Sequence, residues 1–186
     1  LERRGVTVGA HILHIGEARD AYFDPVRVTR EQLRELSAKP FPVINDCAGE
    51  TMREQIAAAA QGHDSVGGVI ECCALGLPAG IGEPMFDGVE NRVSAAVFGI
   101  PAIKGIEFGS GFFGSRLFGS ENNDTFYFED GTVKTRTNNA GGILGGITTG
   151  MPLIFRAAVK PTPSIGLKQE TVLLSRRENA ELIIKG

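Results

Sequence analysis

Asn138–Ile165 reads NNAGGILGGITTGMPLIFRAAVKPTPSI, and the way this stretch folds decides the architecture. Five glycines (Gly141, Gly142, Gly145, Gly146 and Gly150) fall within ten residues. An apolar run, Pro152 to Val159, has the length and composition of a strand and leads straight into Lys160-Pro161-Thr162-Pro163-Ser164. Glycine at that density lets backbone N–H groups come close to a ligand, because no Cβ stands in the way. A lysine beside two hydroxyls at a strand end offers a phosphate one point charge and several donors. The competing reading is a glycine-rich core crossing that ends in a proline turn.

Upstream, Gly5–Gly16 (GVTVGAHILHIG) alternates as a strand does. His11 and His14 stand three apart, which in a regular strand places them on opposite faces and makes a shared metal unfavourable. Thr29–Leu36 opens on an N-cap threonine, and Asp46–Gly62 carries four successive alanines before a terminal glycine, so both predict helices. Ser65–Leu77 predicts a strand, Asp87–Phe98 a helix with valines every fourth residue, and Ala102–Phe108 a further strand. In Asn122–Arg136, Asp130-Gly131 marks a hairpin turn between aromatic and β-branched runs. Two more strands are expected near Glu170–Leu174 and Ala180–Ile184. Early helices, late hairpins and no low-complexity linker predict an α+β class with antiparallel pairing, organised as one domain over residues 1–186.

The 186 residues include 25 glycines, well above the usual ~7%, which predicts many turns and close backbone approaches. A formal charge of -3 argues against nucleic acid as a partner, and no apolar run reaches the ~20 residues of a membrane span. Cys47, Cys72 and Cys73 lack CxxC spacing, and the adjacent pair points to opposite faces of a strand. Buried thiols in a reducing compartment are the expectation.

Gly109, Gly111 and Gly114 spell GxGxxG after a strand, but no helix-forming run follows to carry a pyrophosphate, so a dinucleotide-dependent oxidoreductase draws little from it. Gly76–Pro84 is either a rigid connector or a platform for Glu83. His63 reads as a helix-end histidine favoured by the dipole. No HExxH, GxSxG or cysteine pair supports metal or hydrolase chemistry.

Six segments in order are similar to the chorismate synthase family: His63-Asp64-Ser65-Val66-Gly67-Gly68, GLPAGIGEPMFD at Gly76–Asp87, IPAIKGIEFGSGF at Ile100–Phe112, GSENND at Gly119–Asp124, NNAGGILGGITTG at Asn138–Gly150 and KPTPSI at Lys160–Ile165. The resemblance covers Gly62–Gly186 closely and the preceding residues more loosely. It implies a β-α-β sandwich of antiparallel sheets around helices, assembled as a cytoplasmic homotetramer. It further implies a phosphate lyase of the shikimate pathway that forms chorismate from 5-enolpyruvylshikimate 3-phosphate by trans-1,4 elimination. Reduced FMN would be required although the reaction has no net redox change. External flavin reduction and self-reduction with NADP as the nicotinamide cofactor are both compatible with it.

Carried over residue by residue, the resemblance places FMN contacts at Pro101, Ala102, Gly145, Lys160, Pro161, Thr162, Pro163 and Ser164. The family often has asparagine where Pro101 stands, so a backbone contact survives there and a side-chain contact does not. Pro163 removes an N–H that a serine would offer. The family's amino-terminal histidine and arginine motifs and its carboxy-terminal Arg-His-Asp-Pro motif have no counterpart here, so no catalytic acid or base is assigned. The chain reads as the central piece of such an enzyme, inactive alone. A non-catalytic oligomerisation scaffold is the reading from another class.

Overall fold

The computed structural model describes residues 2–184. In chain order the elements are β1 (Thr7–Ile15), β2 (Ala18–Arg19), α1 (Arg30–Ala38), α2 (Asp46–Gln61), β3 (Gly68–Leu75), α3 (Val89–Phe98), β4 (Ile103–Phe108), α4 (Gly111–Gly114), α5 (Gly119–Asn122), β5 (Phe126–Glu129), β6 (Thr132–Thr135), β7 (Ile143–Leu144), β8 (Ile147–Thr148), β9 (Leu153–Val159), β10 (Gln169–Leu173) and β11 (Glu178–Leu182). One five-stranded sheet has the order β2-β1-β3-β9-β4, and three two-stranded ribbons pair β5 with β6, β7 with β8 and β10 with β11. Every pairing is antiparallel, so the class is α+β with antiparallel sheets, as the sequence predicts. The apolar run that follows the glycines is β9, which inserts between β3 and β4.

Local signals account for most of these elements. Thr29 caps α1 by accepting a hydrogen bond from the Gln32 N–H (3.1 Å). Asn45 does the same for α2 through the Cys47 N–H, and Gly62 closes that helix. The β5–β6 turn places Asp130 and Gly131 at φ 50° and 75°, the paired positive angles that a tight hairpin needs. Two helices cover the sheet. Leu33 and Leu36 of α1 join Phe23, Val28, Cys73 and Ile154 in one buried cluster, and Gly9 lets α1 approach β1, since a Cβ there would lie 2.8 Å from that of Leu33. Met52 of α2 packs with Ala18 and Val43 in the other.

Three local expectations are corrected. A β-bulge between Ile12 and His14 shifts the register of β1 by one residue. His14 therefore pairs with Val69, two residues from the Glu71 that pairs with His11, and both histidines fall on one face. Cys47 is exposed at the start of α2, whereas Cys72 and Cys73 are withdrawn in β3. Part of the glycine segment is a short ribbon, β7–β8, whose backbone crosses that of Gly82 so closely that a Cβ on Gly82 would collide with the Gly146 carbonyl. The loop after β4, by contrast, is as the sequence predicts: it holds only the four-residue α4, too short to carry a pyrophosphate.

Candidate functional site

The residues proposed for cofactor contact fall into two groups at the two ends of α3. Beyond its C-terminus, Ile100-Pro101-Ala102-Ile103 forms a turn closed by the Ile103 N–H on the Ile100 carbonyl (3.4 Å). Proline holds the second position and Ala102 the third at φ 72°, where glycine is the usual occupant of a type II turn. A non-glycine residue held there stores backbone strain of about 1–2 kcal/mol. The Ala102 carbonyl accepts the Lys160 N–H at 2.9 Å, so the turn before β4 and the segment after β9 are one structure.

Lys160 is half-buried, and Pro161, Thr162, Pro163 and Ser164 are exposed. Among the described residues the Lys160 ammonium has no carboxylate partner. The hydroxyls and N–H groups of Thr162 and Ser164 make no hydrogen bond among those residues either. An uncompensated cation beside free donors suits an anionic group such as a phosphate. The two prolines stiffen the loop by fixing φ at alternate positions.

Gly145 lies at the other end. It is the exposed tip of the β7–β8 ribbon at φ 59°, and a Cβ there would meet nothing within 4 Å. Its neighbour Gly146 accepts the Val89 N–H at 2.9 Å, which ties the ribbon to the first residue of α3. The ten residues of α3 span about 15 Å, so the helix is a strut between the Gly145 tip and the Pro101–Ser164 cluster. No hydrogen bond joins Gly145 to that cluster directly.

Sequence reasoning missed a row of ionisable side chains across four strands. His11, Glu71, Arg156 and Glu107 are successive register partners on β1, β3, β9 and β4. His11 Nε2 lies 3.0 Å from Glu71, and its Nδ1 lies 3.2 Å from Asp20. Arg156 donates to Glu71 at 3.0 Å, to Glu107, and to the Gly109 carbonyl at 2.7 Å. Burial pushes the Glu71 carboxyl up, but hydrogen bonds from His11, the Phe23 N–H and Arg156 outweigh it and hold the group below the usual range. Burial pulls Arg156 the other way too, and its bonds to Glu107 and Glu71 raise it above its ordinary value. Arg156 and Glu71 line a cavity of about 370 Å³ shared with Tyr22 and Phe113. A lone glutamate and a lone arginine in otherwise apolar strands were the only hint in the sequence.

A family model described as chorismate synthase matches residues 1–186. Chorismate synthase of Thermococcus gammatolerans is 47% identical over all of this chain and 50% of its own length. That of Lancefieldella parvula is 44% identical over all of this chain and 52% of its length. A crystal structure of chorismate synthase superposes with a TM-score of 0.78 at 30% identity, covering 88% of this chain and 52% of that one. The chain thus spans about half the length of the curated relatives it matches, in sequence and in fold alike, and it belongs to the chorismate synthase family.

Proposed function

We propose that the chain is the flavin-holding core of a chorismate synthase, which converts 5-enolpyruvylshikimate 3-phosphate to chorismate by trans-1,4 elimination of phosphate and a proton. The observation that carries this reading is the uncompensated Lys160 beside the free donors of Thr162 and Ser164, in a segment bonded to the strained Ala102 turn. Lys160, Thr162 and Ser164 would hold the phosphate end of FMN. The Pro101–Ala102 turn would border its stem, and the open Gly145 tip would admit the far end of an extended ligand along α3. Reduced FMN supplies, when bound, the transient electron density that phosphate departure requires. The chain's own residues bind and orient; no acid or base is assigned to them. The whole enzyme is taken to be a cytoplasmic homotetramer, and the described helices include none long and apolar enough to cross a membrane.

The test is anaerobic chorismate formation with reduced FMN, by this chain and by a polypeptide of the relatives' full length that contains it. Turnover by the longer polypeptide and none by the 186-residue chain is the expected result. Absence of turnover in both overturns the enzymatic reading. Full turnover by the short chain overturns the assignment of acid–base chemistry to other segments.

A further inference from the structure

The His63–Gly68 segment joins α2 to β3 and carries no role in the binding reading above, yet it meets the Lys160–Gly166 loop at three points. The Ser65 hydroxyl donates to the Thr162 carbonyl at 2.6 Å across 97 residues of sequence. The Gly166 N–H donates to the His63 carbonyl at 2.9 Å. Beyond the Ser65 bond, toward β9, Gly67 comes so close that a Cβ would lie 2.6 Å from the Val159 carbonyl and 2.9 Å from Pro161 Cδ. His63 itself sits at φ 55°, in the left-handed conformation common just past a helix C-terminus.

Of these contacts, the Ser65 bond is the one that reaches the centre of the loop. Pro161 and Pro163 deprive the loop of two backbone donors, and the N–H groups of Thr162 and Ser164 make no bond of their own. The loop is therefore tied at its ends, by Lys160 to Ala102 and by Gly166 to His63, and in its middle by Ser65 on the Thr162 carbonyl and, at a longer 3.2 Å, by Gln169 Nε2 on the Pro163 carbonyl. The Ser65 backbone is held in turn: its N–H donates to the Asp64 carboxylate at 2.8 Å, and the Asp64 N–H donates to the Ala59 carbonyl of α2 at 2.9 Å. A rigid helix end thus sets the peptide plane of Thr162, and with it the direction of the free donors on either side.

We infer that Ser65 is a positioning residue for the phosphate-binding loop: through the Thr162 carbonyl it fixes Lys160, Thr162 and Ser164 in the geometry that receives the phosphate end of FMN. This rests on the flavin reading of that loop. Ser65 touches no ligand itself, so its effect is preorganisation, which lowers the ordering cost of binding.

The test combines two measurements on this chain, amide hydrogen exchange and anaerobic equilibrium dialysis with reduced FMN, for Ser65→Ala, Ser65→Thr and Lys160→Ala. Loss of one hydrogen bond predicts about fivefold faster exchange in Ser65→Ala at the bonded amides of Lys160 and Gly166, which tie the two ends of the loop. A comparable rise in the FMN Kd is expected, with the melting temperature nearly unchanged. Ser65→Thr keeps the hydroxyl at a half-buried site and restores both values. An unchanged Kd in Ser65→Ala, alongside a raised Kd in Lys160→Ala, overturns the positioning role and leaves the flavin reading standing. An unchanged Kd in Lys160→Ala, or no FMN bound by the unaltered chain, overturns the flavin reading and the inference with it. A Kd that rises in Ser65→Ala but is not restored by Ser65→Thr also overturns it, because the hydroxyl is then not the acting group.

Discussion

Arg156, the β9 member of the row with His11, Glu71 and Glu107, and Lys160, the residue just past the end of β9, stand four residues apart in the chain, yet their surroundings treat charge in opposite ways. Arg156 is mostly buried and bonded to two carboxylates and a carbonyl. Lys160 has no carboxylate partner among the described residues, and its neighbours keep their donors free. A buried charge left unpaired is costly, so losing one partner of the row destabilises the sheet. A charge at a strand end in partial contact with water carries no such demand, so it is available to a ligand. The difference separates a residue that holds the fold from one left free for a ligand, although both are basic side chains only four residues apart in the chain.

Removing the arginine gives the largest effect that can break this contrast. Arg156→Met leaves Glu71 buried without its cation and frees the Gly109 carbonyl, and should destabilise the chain by about 3–5 kcal/mol in urea titration. A loss below about 1 kcal/mol would mean that the row is solvated and contributes as little as a surface pair. Lys160→Ala should do the reverse. Folding stability should stay within about 0.5 kcal/mol, as at an ordinary surface position. FMN binding should weaken by about 1.5–3 kcal/mol, the scale of a hydrogen bond to a charged group. A lysine whose loss unfolds the chain would erase the distinction.

Acid sharpens the comparison with a smaller effect. The Glu71 carboxyl is held below its ordinary value of 4.5 in the folded chain, so the unfolded chain takes up the proton first as pH falls. Its contribution to stability is complete above about pH 4.5 and is lost as pH drops through the lower folded value. The urea midpoint of the unaltered chain should therefore fall between pH 5 and pH 3 more steeply than that of Glu71→Gln, which has no proton to gain. Equal slopes would show that Glu71 is not an ionised member of the row.

The strands, the helix caps and the Asp130-Gly131 hairpin were legible because each is written in neighbouring residues. The loop was legible as well, since Lys160, Thr162 and Ser164 are consecutive enough to read as donors. The row was not, because His11, Glu71, Glu107 and Arg156 are scattered over the chain and become neighbours only through register. The same limit explains His14. Its face depends on a bulge, and a one-residue shift reverses every alternation argument beyond it. Likewise Ser65 reads as a residue in a glycine-containing connector until the sheet brings it against Thr162.

The cysteines carry the contrast to its smallest scale, where no stability change is involved. Cys72 and Cys73 directly follow Glu71 on β3, and burial, reinforced by the charge of Glu71, pushes their thiols up to about 11 and about 12. Cys47 lies exposed at the start of α2, open to a reagent in solvent. A thiol reagent at pH 8 should therefore label one cysteine of three promptly in the native chain, at Cys47, and the other two only on unfolding. Rapid labelling at Cys72 or Cys73 would mean that β3 opens to water on the timescale of the reagent. The row could not then be dry, and the distinction drawn between Arg156 and Lys160 would lose its physical basis.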